Sequence, residues 1–284
     1  MKYIKPRSMV CAPKGHQLIQ FDFSQAESWI VAFLANEPNM KKALMFGDIH
    51  LETAGSAIFY RNTGCDHKWV KATKSCSLCG ATITYDQRYI GKRVNHASGY
   101  RMKAAKQAQV INKDSDKPPY VTVTVADTTE YNKGWHEHYS IKGWWDEIEQ
   151  QLNRNRTMIT CYNRKRVFYA AWGPELLREA TAFEPQSTVA DHANGKLHPE
   201  LGIPGGFLEV HKRFVRTGAV KIINQCHDSI IMDAPNEIVD SLVPEVYKLL
   251  TRPIVLKGET FQIPVDCEVG ERWGELEEKE IKCA

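Results

Sequence analysis

The stretch Phe21-Asp22-Phe23-Ser24-Gln25-Ala26-Glu27 decides how this chain folds. Leu18 and Ile19 lead into it, and Pro13-Lys14-Gly15 bounds the run upstream, so residues 18–23 are predicted to form a buried strand that ends near Asp22. Ser24 with Glu27 three residues on has capping-box spacing and predicts a following helix, with Trp29, Ile30, Phe33 and Leu34 as its core stripe. A late segment repeats the arrangement. Cys226-His227-Asp228-Ser229 follows Val220-Lys221-Ile222-Ile223 and precedes Ile230-Ile231-Met232, which predicts a hairpin over residues 220–234 with Asp228 near its turn. Taken alone, each aspartate reads as the end of a strand. Presented together from neighbouring strands, they can hold two hard divalent cations such as Mg²⁺, the arrangement that supports in-line phosphoryl displacement.

Composition leaves room for such an enzyme. The chain has 284 residues, 43% hydrophobic and 25% charged, with a formal net charge of +3. That is enough for one or two domains with a substantial core. The mild basicity permits a nucleic-acid partner without requiring one. No run of 18 apolar residues occurs, so no membrane span is expected. Lys2, Lys5, Arg7 and Lys14 interrupt the start of the chain and exclude a signal-peptide core there. A cytoplasmic setting follows, in which the eight cysteines are thiols or metal ligands.

The first segment resembles motif A of the family A DNA polymerases, the bacterial polymerase I type, and the second resembles their motif C. Arg88, Lys92 and Tyr100 lie between them at motif B spacing, Arg-x3-Lys-x7-Tyr. Gly47-Asp48-Ile49-His50-Leu51-Glu52-Thr53-Ala54, Phe183-Glu184-Pro185-Gln186-Ser187 and Ile263-Pro264-Val265-Asp266-Cys267-Glu268-Val269-Gly270 with Trp273 resemble further segments in family order. The resemblance runs from about residue 7 to 273.

It implies an α+β fold, a palm with an antiparallel sheet and a mostly helical fingers subdomain. Residues 1–59 would hold the motif A palm and the start of the fingers, 60–84 a zinc-ribbon-like insert, 85–184 the fingers, and 185–284 the motif C palm. It further implies that Asp22, Asp228 and the Phe23 carbonyl hold two Mg²⁺ ions, and that Lys92 and Arg88 meet the triphosphate of a dNTP. Glu27 would act as a gate against a ribose 2′-hydroxyl, with Gln25, His96 and Tyr100 in the substrate-binding set. His227 would lie at the primer terminus, and Gln186 and Arg178 against the minor groove of primer–template DNA. Taken from charge alone, Arg88 and Lys92 suit a solvated basic face equally well.

Three positions depart from the family. Ser229 stands where motif C has Glu, a form seen in single-subunit RNA polymerases. His96 replaces an aromatic, and Arg101 replaces the Gly after the motif B tyrosine. No thumb or exonuclease segment is recognised, which predicts weak, distributive synthesis or a partner chain supplying those parts. A DNA-binding subunit that depends on such a partner, or an RNA polymerase, are the competing functions.

Outside the resemblance, Cys65-x-His67 and Cys76-x-x-Cys79-Gly80 supply a Cys₃His set, a standard structural zinc combination. Lys68, Lys71 and Lys74 lie between its halves, so the module is expected to touch template or a replication protein. Unrelated surface thiols are the alternative. Cys11, Cys161, Cys226 and Cys283 are scattered and expected to be structural. For the remainder, the pattern predicts a helix over 48–59, helical spacing over 85–111 and a strand at 120–125. It also predicts a helix capped by Asp127, a helix over 144–155, and one over 176–193 broken near Pro185.

Overall fold

A computed structural model describes residues 6–115 and 117–281. In chain order, β1 (His16–Phe23) leads to α1 (Ala26–Leu34), α2 (Pro38–Phe46) and the short α3 (Ile49–Glu52), which passes into a π-helical turn, Thr53–Phe59. The small strands β2 (Trp69–Val70) and β3 (Ser75–Cys76) precede α4 (Tyr85–Gly99), α5 (Ala104–Asn112), α6 (Val125–His138) and α7 (Lys142–Asn155). Then come β4 (Thr157–Ile159), β5 (Lys165–Val167), α8 (Pro174–Asn194), α9 (Gly206–Val210), β6 (Lys221–Cys226) and β7 (Ser229–Pro235). The chain closes with α10 (Val239–Leu250), β8 (Ile254–Leu256), β9 (Glu259–Phe261), β10 (Val265–Gly270) and β11 (Glu277–Glu278). This is the mixed helical and antiparallel architecture that the resemblance implies.

The chain divides into two compact units. One comprises Met1–Glu27, Ile159–Lys165 and Gln186–Ala284; the other comprises Ser28–Met158 and Arg166–Pro185. The first is built on a five-stranded sheet of order β11-β10-β1-β7-β6, antiparallel at every junction. Along β1, Leu18, Ile19, Phe21 and Phe23 are buried while Asp22 is exposed. Side chains alternate across a pleated strand, so a buried Phe on either side turns Asp22 to the open face. The amphipathic α10 buries Val239, Leu242, Val243, Val246, Leu249 and Leu250.

The second unit is helical. Its centre is the π-helical turn, approached closely at two glycines. A Cβ on Gly91 of α4 would fall 2.8 Å from that of Ala54, and one on Gly134 of α6 would fall 2.1 Å from the Ala57 carbonyl oxygen. A buried polar network fixes the same region: the Trp135 indole and the Thr53 hydroxyl both donate to Asn95 Oδ1, at 3.0 and 3.3 Å.

Several sequence expectations are corrected. Residues 120–125 form no strand, because both backbone groups of Val123 pair with the Asn112 side chain at 2.9 Å instead of with a neighbouring strand. The cap of α6 is Thr124, and Asp127 is its reciprocal partner in a capping box. Gln25 has a φ of 56°, so α1 begins at Ala26 and Ser24 does not flank it. The helix expected over 48–59 is α3 followed by the π-helical turn. Helix α8 continues through Pro185 despite the lost backbone bond, with Thr181 and Phe183 buried before it and Thr188 and Val189 buried after it. Cys283 lies outside the described residues. Among the described residues, no helix is long and apolar enough to cross a membrane.

Candidate active site and metal centre

In the first unit, the Phe23 backbone N–H donates to the Asp228 carbonyl oxygen at 3.3 Å. Asp22 is paired across β1 and β7 with Ser229, the next residue after Asp228. Motifs more than two hundred positions apart, counted from Phe23 to Asp228, thus meet at the end of one strand pair. The connection between β6 and β7 is the two-residue turn His227–Asp228, with His227 at a φ of 55°. The Ser229 hydroxyl closes the turn by donating to the Cys226 carbonyl at 2.9 Å.

Burial raises the Asp228 carboxyl above its ordinary value, and the charge of Glu27 adds to the rise; its own backbone N–H and the charge of His227 oppose it. Crowded, partly desolvated carboxylates are a donor set that a hard cation relieves. The register adds a residue that motif reading did not single out. Asp266 on β10 lies directly opposite Asp22 and is exposed like it. Direct antiparallel partners share a face of the sheet, so Asp22 and Asp266 do too. The sequence signals were alternation along residues 265–268 and the family-like segment 263–270 that contains Asp266.

Beneath this face Phe23 meets His192 edge-on at 5.5 Å and Phe207 at 6.4 Å. Burial, followed by the charge of Arg252, pushes His192 down to about 3, so it packs as a neutral ring, hydrogen-bonded through Nδ1 to Tyr162 at 2.7 Å. Gln186 is exposed in this unit.

In the second unit α4 opens with a capping box between Thr84 and Gln87. Arg88, Lys92 and His96 follow at four-residue intervals, so one face carries all three. Lys92 and His96 are exposed and Arg88 is half-buried. Tyr100 caps the helix and meets His96 edge-on at 5.2 Å. Arg88 is held by Asp48, whose Oδ2 accepts from Nε at 3.0 Å and from a terminal nitrogen at 2.5 Å. Asp48 also caps α3, accepting from the His50 and Leu51 N–H groups at 2.8 and 3.1 Å. Burial favours its neutral form, but the Arg88 hydrogen bonds and charge prevail and hold the carboxyl below its ordinary value. His50 is pushed down to about 3, first by burial; Asp48 opposes the shift, and Lys92, Arg88 and His96 reinforce it.

Two further cations of this unit, Arg101 and Arg178, are paired within it. Arg101 adopts a φ of 59°, the left-handed region that glycine enters freely. Its guanidinium bonds Glu149 at 2.5 Å, Thr181 Oγ1 at 3.1 Å and the Trp145 carbonyl at 2.9 Å. Arg178 pairs with Glu175 at 3.1 Å.

The insert converges on a metal-type cluster. The ligand atoms of Cys65, His67, Cys76 and Cys79 all lie within 4.8 Å of one another. The Cys65 and Cys76 sulfurs are 4.0 Å apart, and Cys79 Sγ is 3.4 Å from His67 Nδ1. Tetrahedral zinc with ordinary bond lengths separates such atoms by roughly 3.3–3.8 Å. His67 Nε2 is oriented by Thr63 Oγ1 at 2.8 Å and the Tyr60 carbonyl at 3.3 Å, the support that fixes a ligating imidazole. Burial opposes ionisation of Cys76, but backbone N–H bonds from Cys79 and Leu78 and the bond to His67 bring it down to about 6. Burial, then hydrogen bonds with Cys79 and Cys76, push Cys65 up to about 11. A divalent cation among them would stabilise every thiolate. The donor set therefore fits zinc.

A family model for DNA polymerase family A matches residues 2–275. Among curated proteins, DNA polymerase I of Helicobacter pylori strain 26695 is 22% identical over 276 residues, and that of strain J99 is 21% identical. In each case the match covers 95% of this chain and 26% of the relative, so the chain spans about a quarter of their length. Among solved structures, the POL domain of Pol1 from M. smegmatis, in complex with DNA primer-template and dNTP, aligns with a TM-score of 0.70 at 16% identity. That alignment covers 94% of this chain and 42% of the other.

Proposed function

Since the chain belongs to DNA polymerase family A, we propose that it catalyses template-directed addition of a deoxynucleoside monophosphate to a primer 3′-hydroxyl with release of pyrophosphate. The observation that carries this reading is the Phe23–Asp228 backbone bond, which ties Asp22 and Asp228 to one strand end. Asp22, Asp228 and the Phe23 carbonyl would hold two Mg²⁺ ions, with Asp266 as a further carboxylate on the same face. When bound, such a pair acidifies the attacking hydroxyl and offsets charge on the leaving pyrophosphate.

The chain's own groups do the rest. Lys92 offers an exposed cation to the triphosphate, with Arg88 on the same face. Glu27 excludes a 2′-hydroxyl, with Gln25 and His96 at the sugar, and Tyr100 stacks on the template base. His227 positions the primer end, while Gln186 and Arg178 read minor-groove acceptors shared by different base pairs. The first unit serves as palm and the second as fingers. Zinc occupies the Cys65, His67, Cys76 and Cys79 set as a closed structural site. Primer–template DNA and dNTPs are the partners, and a thumb-bearing or exonuclease-bearing chain would raise processivity.

Extension of a labelled primer–template with Mg²⁺ and dNTPs tests the reading, beside an Asp228→Asn control and an rNTP lane. Extension with dNTPs that vanishes in the control supports it. Preference for rNTPs would make the enzyme an RNA polymerase, and DNA binding without extension would make it a subunit.

A further inference from the structure

The metal cluster and the α4 helix are joined by two separate routes. The first runs along the chain. Cys76 N–H donates to the Ala81 carbonyl at 2.8 Å, Gly80 N–H to the Cys76 carbonyl at 3.0 Å, and Ile83 N–H to the Lys74 carbonyl at 2.8 Å. The next residue, Thr84, is the cap of α4.

The second route runs through packing. The His67 ring stacks on Trp69 with centroids 4.8 Å apart and planes 25° apart. The Trp69 indole donates to Ser56 Oγ at 3.0 Å. It presses so closely on the π-helical turn that a Cβ on Gly55 would fall 2.1 Å from its ring. Leu51, Ala54, Trp69, Cys76 and Ile83 form one buried cluster here. Ala54 in turn meets α4 at Gly91, where an added Cβ would lie 2.8 Å from the Ala54 methyl. Ligand ring, indole, turn and helix are therefore in contact throughout, and a close-packed interior transmits displacement rather than absorbing it.

We propose that zinc bound at Cys65, His67, Cys76 and Cys79 is a positioning device for α4, setting the placement of the face that carries Arg88, Lys92 and His96 and hence the affinity for a nucleoside triphosphate. The effect on nucleotide affinity rests on the role proposed above for that face; the mechanical link does not. Lys68, Lys71 and Lys74 are exposed on the insert and make a nucleic-acid contact the rival assignment. Lys74 joins the first route only through its backbone carbonyl, which accepts from Ile83 N–H, whereas ligand residues stand on both routes, Cys76 on the first and His67 on the second.

The test uses the full chain with zinc bound, after chelation, and after zinc is restored, beside Cys79→Ser and Gly55→Ala. Three quantities are read: hydrogen exchange of the α4 amides, dATP binding by calorimetry without DNA, and primer–template binding. The expected result is faster exchange in the first turns of α4 on zinc loss. dATP binding should weaken about tenfold and recover when zinc returns, with DNA affinity changing less than about twofold. Gly55→Ala, which displaces Trp69 but spares the ligands, should keep one zinc per chain and still weaken dATP binding.

Unchanged α4 exchange on zinc loss would overturn the proposal, as would a chain that takes up no zinc. Weakened DNA binding with intact dATP affinity would assign the insert to nucleic acid instead. If the zinc-bound chain binds no dATP at all, the nucleotide role of α4 fails, while the exchange difference still reports on the link.

Discussion

The backbone N–H of Phe23 donates to the carbonyl oxygen of Asp228, so the residue after one candidate ligand is hydrogen-bonded to the other. This single bond fixes the strand end at which Asp22 and Asp228 are presented. It ties the turn that carries Asp228 to the end of β1 that carries Asp22.

Asp228→Asn should abolish primer extension, by on the order of 10³-fold or more, and raise thermal stability near neutral pH. The folded carboxyl is raised by burial first and by Glu27 second. A raised acid binds protons more readily folded than unfolded, so it costs stability as pH climbs from the ordinary 3.8 through the folded value. The variant's gain should therefore be present above that window and absent below pH 3.8. Melting curves across pH without metal check it.

Lys92→Ala should weaken dNTP use more than Arg88→Ala does. Lys92 is exposed, whereas Arg88 is committed to Asp48. A loss of about 10²-fold in kcat/KM for Lys92→Ala is expected, with primer–template affinity nearly unchanged. Steady-state kinetics at varied dNTP and varied DNA separate the two.

Asp48→Ala should destabilise the fold by about 2–3 kcal/mol, because it removes both a helix cap and the partner of Arg88. Asp48→Asn keeps an acceptor for the cap and should cost less. Since the folded carboxyl is depressed, its stabilisation is present above the ordinary 3.8 and lost as pH falls through the folded value. Chemical denaturation from pH 3 to 7 should show a shallower acid decline in the Asn variant than in the parent.

Arg101→Gly should destabilise even though it relieves a left-handed backbone. Relief is worth roughly 1 kcal/mol. The bonds to Glu149, Thr181 and Trp145 are each worth about 1 kcal/mol or more. A net loss of about 1–2 kcal/mol in urea unfolding is expected. A gain would show that the strain dominates.

The sequence by itself determined the features written in short-range spacing. The apolar run into Asp22, bounded by Pro13-Lys14-Gly15, and the apolar runs flanking Asp228 identified β1 and the β6–β7 hairpin. Four-residue spacing placed Arg88, Lys92 and His96 on one helical face, and the Cys-x-His and Cys-x-x-Cys pairs named the metal cluster. Tertiary structure alone decided which distant groups meet. Asp266 lies opposite Asp22 because β10 pairs with β1 in that register. Asp48 holds Arg88 across forty positions, and Trp69 is pressed against Gly55. It also overruled local preference where packing or a side chain supplied what the backbone lacked, as at Val123, Pro185 and Arg101. Periodicity records how one segment meets its immediate surroundings. Which segment lies on its other side is set by the packing of the whole core, and no local pattern encodes it.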